Sequence, residues 1–435
     1  MKIELNTTLL LSADVKSEGA ILSESQTRTN SHKIILHTMA PRPPEKTRLS
    51  KAQNRKLRRL KSKATRESDP KTLLTEATTF LEIGQADDAL RRAAKALSIL
   101  EERSHSNAAD KLPALNLLGE ILIELGETQE AREFFMKAAD IDPEGEVPEA
   151  LGGGPEKFFW LAQLSDEGGL DSVKWYQKGA DVLRREIEKQ TRDETRSEEQ
   201  NAILEEQTAK LASALCGIAE IYMTDLSWDD KEAEEQCNEV MEEATRIAPD
   251  SVETLQTLAS VKISQLRQDE AKEYLSKSLS LWKDLPPEDA KVPTFPTKIS
   301  LSRLLMEVEM EGEALEVLER LITEDDRSVE AWYLGGWCQH LLAEKKKSQM
   351  NGDTDDDSAS EMNDTLRTSR KWLLQCLKLY QLQGYEDVRL HDHATEIVES
   401  LNQILGEPTE EDGVLEEQDV WEDAEESGNE LMEGT

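Results

Sequence analysis

The stretch from Pro113 to Pro143 constrains the fold of this chain more than any other feature. Apolar residues recur there every three or four positions, which places them on one helical face: Leu115, Leu118, Ile121, Leu122 and Leu125. Gly126 ends this run, and Pro143 ends a second helix that carries small and aromatic residues at the same spacing: Ala131, Phe134, Phe135, Ala138 and Ala139. Small side chains allow two helix backbones to approach closely. The stretch therefore predicts a hairpin of two packed helices.

The same pattern returns along the chain. Ala244 and Ser278 are 34 residues apart, and so are Ser302 and Gly336. This spacing of small, large and proline positions resembles the tetratricopeptide repeat, a helical hairpin of about 34 residues. Such units stack into solenoids and need no single globular core. We find no alternating stretch that would require a β-sheet.

We therefore predict an all-α, TPR-like helical-hairpin solenoid with about seven units in residues 70–406, closed by a capping helix. Residues 1–69 are predicted to be a disordered, basic N-terminal segment, and residues 407–435 an acidic, disordered tail. Within the seventh unit, the polar and acidic stretch Lys345–Asp364 is expected to be a disordered loop. Met39, followed by Ala40 and Pro41, is expected to be the true translation start.

The charge is distributed unevenly. Residues 1–70 hold 15 basic and 7 acidic residues, which leaves 37 basic and 83 acidic residues in 71–435. A body this negative repels nucleic acid and attracts a cationic partner. We expect a basic protein as the partner, no direct contact with nucleic acid or a membrane, and a monomer or a 1:1 complex. No apolar run approaches the roughly 20 residues needed to cross a bilayer.

A basic segment lies between Lys46 and Arg66, with ten lysines and arginines and no acid. It has the composition of a nuclear localisation signal, and it is also compatible with a solvated extension that pairs with the chain's own acids, or with RNA binding. No aromatic residue interleaves with the cations to stack on bases. We predict localisation in cytoplasm and nucleus, with these residues as the signal: Lys51, Arg55, Lys56, Arg58, Arg59, Lys61 and Lys63.

The sequence shows little sign of catalysis. It has no nucleophile elbow, no phosphate loop and no kinase-like set of motifs. The triple glycine 152–154 lacks the lysine and the strand of a phosphate loop. His391 and His393 point apart on a helix, so they do not suggest a metal site. The four cysteines have no metal-like or redox spacing, which predicts small buried thiols. We expect no enzyme activity, no cofactor and no bound metal.

A partner-binding surface is the alternative to catalysis. In stacked helical hairpins the first helix of each unit lines the inner face. Carboxylates with interleaved aromatic residues suit an extended Lys/Arg-rich segment through charge and cation–π contacts. The same acids also fit ordinary solvated helix faces, and the same aromatic residues fit core packing. Projecting the repeat pattern gives eleven candidates: Glu82, Glu120, Glu124, Phe159, Trp160, Asp166, Glu167, Glu220, Glu253, Tyr333 and Trp337.

Three features together resemble one family. These are the basic KLRRLKSK segment, the divergent repeats that begin KTLLTEATTFLEIGQADDAL, and the acidic end with VWEDAEE. They are similar to the fungal dedicated assembly chaperones of the fourth large-subunit ribosomal protein. The resemblance implies capture of that basic protein, shielding of its extended loop and escort to the nuclear pre-ribosome. A TPR scaffold subunit of a ribosome-biogenesis or RNA-processing complex and a histone chaperone remain as alternatives.

Overall fold

Helices account for the regular structure of the chain. The computed structural model describes residues 69–103, 107–192, 196–226, 231–349 and 356–406, and within these ranges it contains fifteen α-helices and no strand. The all-α prediction is confirmed. The helices fall into two compact units, with the boundary between Lys291 and Val292. None of the described helices is long and apolar enough to span a bilayer.

The first unit contains five helical hairpins. Its helices are α1 (Pro70–Glu82), α2 (Ala86–Glu102), α3 (Leu112–Glu124), α4 (Thr128–Ile141), α5 (Glu156–Gln163), α6 (Gly169–Thr191), α7 (Glu198–Thr224), α8 (Lys231–Ile247), α9 (Val252–Ser264) and α10 (Gln268–Ser280). Short 3-10 turns precede α3 and α5, at Ala108–Lys111 and Glu149–Leu151. Helices α6 and α7 are long, with 23 and 27 residues, and residues 193–195 between them lie outside the described structure.

The second unit contains two hairpins and a final helix. Its helices are α11 (Phe295–Glu307), α12 (Glu311–Glu324), α13 (Val329–Gln349), α14 (Asp356–Gln383) and α15 (Val388–Leu405). Helix α15 packs on α14 and α13 through the apolar residues predicted for the capping helix, and Leu390, Ala394, Ile397 and Leu401 are buried. Seven hairpins and a capping helix are the number of elements that the repeat pattern predicts.

The prediction of a loop over Lys345–Asp364 is wrong for most of its length. Helix α13 continues to Gln349 and α14 begins at Asp356, so only residues 350–355 lie outside the described structure. Side-chain pairs account for the longer helices. Lys345 binds the Glu311 carboxylate at 2.7 Å, and Lys346 binds Glu361 across the hairpin at 2.7 Å. Composition alone does not reveal these pairs.

Four of the hairpin turns share one backbone conformation. Two residues after the first helix, the chain adopts a positive φ angle, at Gly84 and Gly126 in the first two hairpins. Leu266 and Glu309 occupy the equivalent positions later in the chain, with φ of 58° and 64°. The next residue then donates its N–H to a carbonyl five residues back, as from Glu127 to Leu122 at 2.9 Å. This is the bonding of a Schellman turn, which glycine accommodates best.

Small residues bring the helices together, as the sequence predicts. A Cβ atom added to Gly119 would lie 2.4 Å from the Phe135 ring, and one added to Gly336 would lie 2.6 Å from Leu373. Ala77, Ala93 and Ala138 are fully buried. Apolar clusters continue from hairpin to hairpin through the first unit, which is typical of a stacked solenoid. All four cysteines are buried free thiols, which confirms that prediction.

The connection between α4 and α5 contains a buried ion pair. The Lys157 ammonium group donates to Asp142 at 2.9 Å and to the Gly154 carbonyl at 2.8 Å. Asp142 also accepts the backbone N–H groups of Glu146 and Val147. Burial lowers the pKa of Lys157, whereas the hydrogen bond and charge of Asp142 oppose this shift. The glycine-rich segment 152–154 is therefore part of a structural turn held by this pair.

Candidate partner-binding face

We call the surface formed by α1, α3, α5, α7 and α9 the first-helix face of the first unit. Side-chain contacts connect these helices from one hairpin to the next. Ser213 of α7 donates to Glu253 of α9 at 2.9 Å, and Lys210 of α7 lies 3.0 Å from Glu156 of α5. The face is predominantly acidic because carboxylates recur at the positions that its core-packing residues leave open.

Glu220 and Glu253 form the most strongly perturbed part of this face. Burial, and the nearby charge of Glu253, raise the pKa of Glu220 to about 7. Burial also raises the pKa of Glu253, although its hydrogen bond from Ser213 opposes the shift. Both side chains still have substantial solvent exposure. The two observations fit carboxylates that are open to solvent on one side and crowded by protein on the others.

Two groups close to Glu220 and Glu253 also have raised pKa values. Burial, together with the charges of Glu220 and Glu253, raises the pKa of Tyr176 to about 12, while a hydrogen bond with Gln163 opposes it. Burial likewise raises the pKa of the Cys216 thiol to about 12. Negative charge therefore accumulates here, and no cation of the described residues contributes to the pKa shift of Glu220. A cationic side chain from a partner would relieve this repulsion.

A second acidic group lies between α3, α5 and α7. Burial and the charge of Glu156 raise the pKa of Glu120. Lys210 contacts Glu156 at 3.0 Å, Glu206 at 3.1 Å and Glu149 at 3.8 Å. Burial alone would lower the pKa of Lys210, but these carboxylates raise it above its usual value. One internal lysine thus neutralises part of this group, and Glu120 carries additional negative charge beside it.

The predicted aromatic residues of α5 are half-buried and contribute to packing. Phe159 lies against Gly179, and its ring centroid is 6.0 Å from that of Tyr176. Trp160 stacks on Phe135 at 5.9 Å. Each ring therefore has one side in the core, and the exposed remainder is what a partner could contact.

The other predicted residues of the first unit are placed at its ends and turns. Glu82 and Glu124 are exposed at the last positions of α1 and α3. Asp166 and Glu167 lie in the turn between α5 and α6, and Gln129 donates to Asp166 at 2.6 Å. These four residues are not part of the Glu220–Glu253 group. Their role in partner binding stays a prediction.

Tyr333 and Trp337 belong to α13 of the second unit, where they pack on the final helix. The Tyr333 hydroxyl lies 2.8 Å from Nδ1 of His393, and the Trp337 ring meets the His393 ring edge-to-face at 5.1 Å. Tyr333 is buried, and burial raises its pKa. These contacts give the two aromatic residues a structural role in holding α15. The localisation candidates at 51–63 lie outside the described residues.

The sequence reading missed several members of the face. Glu156, Lys210 and Ser213 connect successive hairpins, and none was among the predicted residues. A signal was present on α7, where Glu206, Lys210, Ser213 and Glu220 recur at helical spacing on one face. Pairing across hairpins also depends on how the units stack, which the repeat pattern does not specify.

The arrangement is suited to holding cations. Within the described ranges, no three histidine, cysteine or acidic side chains converge in a way that could hold a metal ion. The perturbed groups are carboxylates, a phenol and thiols whose charged forms are disfavoured by burial. A positively charged chain laid across the face would find partly desolvated carboxylates with aromatic edges nearby.

Comparison with known proteins agrees with this architecture. Residues 70–144 match the tetratricopeptide repeat family model. A probable assembly chaperone of rpl4 from Emericella nidulans is 47% identical over 378 residues, covering 86% of this chain and 90% of the relative. A probable assembly chaperone of rpl4 from Schizosaccharomyces pombe is 36% identical over 324 residues, covering 73% of this chain and 89% of the relative.

A solved structure of the assembly chaperone of RpL4 (Acl4), residues 1–338, is also similar. It is 49% identical to this chain and superposes with a TM-score of 0.58, over 65% of this chain and 99% of that structure. The two curated relatives match over about nine-tenths of their own length, so the similarity extends well beyond residues 70–144, which the repeat family model matches. The chain therefore belongs to the family of the assembly chaperones of rpl4.

Proposed function

We propose that this protein is a dedicated, non-catalytic chaperone that binds and shields rpl4, a basic protein of the large ribosomal subunit. The observation that carries the proposal is the relative at 47% identity over nine-tenths of its length, which is named a probable assembly chaperone of rpl4. The family resemblance supplies the rest of the role, namely capture of the extended loop of the client and escort to the nuclear pre-ribosome.

The first-helix face supports this proposal physically. Its carboxylates at Glu120, Glu220 and Glu253 have raised pKa values, so the free protein holds negative charge in an unfavourable arrangement. Lysines and arginines of the client would relieve that repulsion and would themselves be prevented from binding RNA nonspecifically. Release follows when ribosomal RNA competes for the same cations.

Affinity purification at low and moderate salt tests the proposal against its alternatives. We expect rpl4 at a 1:1 ratio with the chain, retained before ribosomal subunits assemble and lost progressively as salt screens the charges. A stable multi-protein complex without free rpl4 would favour a scaffold subunit. Co-purification of core histones instead would favour a histone chaperone, and either result would overturn the proposal.

For localisation, we propose that the basic segment between Lys46 and Arg66 directs the chaperone and its client to the nucleus. The segment supplies clustered cations of the kind that import receptors recognise. Alanine at all seven predicted positions should shift a fluorescent fusion of the full chain from nucleus to cytoplasm. A matched fusion with seven exposed lysines and arginines of 71–435 replaced should still enter the nucleus. Unchanged nuclear entry of the first variant would refute this role.

A further inference from the structure

Two histidines lie where the final helix of the second unit packs on α13. His393 of α15 places its Nδ1 2.8 Å from the Tyr333 hydroxyl, and its ring meets the Trp337 ring edge-to-face at 5.1 Å. His340 follows Trp337 by three residues, so it lies on the same side of α13. Both imidazoles are partly buried. The contact between α13 and α15 therefore contains two groups that ordinarily titrate near pH 6.5, at about the pH of the cell interior or just below it.

The surroundings of His340 favour its neutral form. Nε2 lies 3.8 Å from a carboxylate oxygen of Glu344, whereas Nδ1 is buried and has no hydrogen-bond partner among the described residues. A second proton would turn Nδ1 into a buried N–H donor without an acceptor, which is unfavourable. Burial accordingly lowers the pKa of His340, and the charge of Glu344 opposes this shift.

His393 also favours its neutral form. Burial lowers its pKa, the charge of Glu396 opposes the shift, and the charge of His340 adds to it. Tyr333 supplies no negative charge to hold a second proton on His393, because burial raises the pKa of its phenol. Two protonated imidazoles in this contact would also repel each other. Protonation of the pair therefore works against the packing of α15 on α13.

The other charged or titratable groups of this region compensate little of that cost. Glu344 and Glu396 are exposed, so water screens their attraction for the imidazolium charges. The remaining described groups near this contact or along α15 are uncharged, paired or in contacts of their own: the Cys376 thiol, Arg303 with Glu330, Asp387 at the start of α15, His391 beside Asp392 and the Tyr380 ring, and Arg370 with Asn402 and Gly406.

We propose that His340 and His393 form a pH-sensitive latch that holds α15 on α13 while both rings are neutral and releases it when they take up protons. In the released state the two rings meet water and recover the ordinary histidine pKa of about 6.5. The docked state binds these protons less tightly than the released state. The stability of the docked helix is therefore fully present above about pH 6.5 and is lost as the pH falls below that value.

Release of α15 would uncover the apolar surface that it shares with α13 and α14. Leu390, Ala394, Ile397 and Leu401 are buried by this packing. The hairpins of the second unit have their own buried residues, such as Leu318 and Leu334, which do not depend on the two imidazoles. Acidification should therefore act on the last helix before it acts on the hairpins.

Hydrogen-exchange mass spectrometry of the full chain at pH 7.5 and pH 5.5 tests the latch. After correction for the pH dependence of intrinsic amide exchange, peptides from α15 should lose protection about tenfold at pH 5.5. Peptides from α11, which contains no histidine, should keep their protection within about twofold. Equal protection of α15 at the two pH values, or an equal loss in α11, would overturn the proposal.

Variants assign the effect to the two rings. The double variant His340→Gln/His393→Gln retains polar side chains that take up no proton, so the protection of α15 should change by less than about twofold between the two pH values. His391→Gln, on the same helix, is the matched control and should show the full loss of the wild type. A tenfold loss in the double variant, or a loss abolished by His391→Gln, would overturn the latch.

An NMR titration of the wild-type chain decides the question even where the double variant fails to dock α15 at either pH. The Cε1–H signals of His340 and His393 should titrate below the ordinary histidine pKa of about 6.5. The methyl signals of Leu390 and Leu401 should change over the same pH range. Titration of both imidazoles at pH 6.5 or above, or leucine signals that do not respond, would refute the latch.

Discussion

Replacing Glu220 with glutamine should stabilise the first unit, and the gain should grow with pH. In the folded chain the pKa of Glu220 is raised from 4.5 to about 7, by burial and by the charge of Glu253. A raised pKa means that the folded state holds the proton more tightly than the unfolded state. The stability contributed by this group is therefore present at acidic pH and is lost as the pH rises towards 7.

The size of the stabilisation follows from the pKa shift of Glu220. At about 1.4 kcal/mol for each pKa unit, ionised Glu220 costs at most roughly 3 kcal/mol at pH 8. The side chain is also exposed, so solvent screens part of this cost and we expect a net gain of about 1 kcal/mol from Glu220→Gln. Glutamine keeps the shape and hydrogen-bonding capacity but carries no charge.

Hydrogen-exchange mass spectrometry of peptides from α7 measures the local gain in stability from Glu220→Gln. At pH 8 the variant should exchange these amides about fivefold more slowly than the wild type, and at pH 5.5 the ratio should be smaller. Glu399→Gln provides a control with the same charge change on the second unit. Equal protection in variant and wild type at pH 8, or an NMR titration that places the pKa of Glu220 near 4.5, would refute the reasoning.

Three further outcomes are expected from the packing. Leu266→Gly should raise the unfolding free energy by about 0.5–1 kcal/mol, because Leu266 is 89% exposed and has a positive φ angle; a lower melting temperature would contradict this. Asp142→Ala should lower the free energy of unfolding by about 3–5 kcal/mol, because it leaves the Lys157 ammonium group buried without its carboxylate. An unchanged melting temperature would show that this ion pair does not stabilise the fold. Burial raises the pKa of all four cysteines, Cys216, Cys237, Cys338 and Cys376, to about 12. Thiol labelling at pH 7.5 should therefore be about a thousandfold slower in the native chain than after denaturation. Fast labelling of the native chain would show that one of these thiols is exposed.

The sequence predicts the hairpins well because their signals are local. Small residues such as Gly119 and Ala138 mark the places where two helices approach, and Gly84 and Gly126 mark the turns. The later turns at Leu266 and Glu309 have the same conformation without a glycine. In those turns the surrounding hairpin imposes the backbone conformation, and the local sequence gives no sign of it.

The candidate site was less predictable for a physical reason. The repeat pattern identifies which residues face away from the core, and Glu120, Glu220 and Glu253 were found in this way. It does not specify which residue of one hairpin meets which residue of the next, so the Ser213–Glu253 bond and the Lys210 contacts appear only in three dimensions. The extension of α13 and α14 was missed because ion pairs with neighbouring helices, Lys345 with Glu311 and Lys346 with Glu361, join stretches that composition marks as polar.

Calorimetric titration of the purified full-length chain with rpl4 tests the central claim most directly. The claim is that carboxylates of the first-helix face hold the cations of this client. We expect 1:1 binding that weakens as salt increases, and a loss of about tenfold in affinity for the double variant Glu220→Gln/Glu253→Gln. The control Glu386→Gln/Glu399→Gln removes two exposed charges of the second unit and should bind like the wild type. No binding by the wild-type chain, or equal affinity of both double variants, would contradict the account.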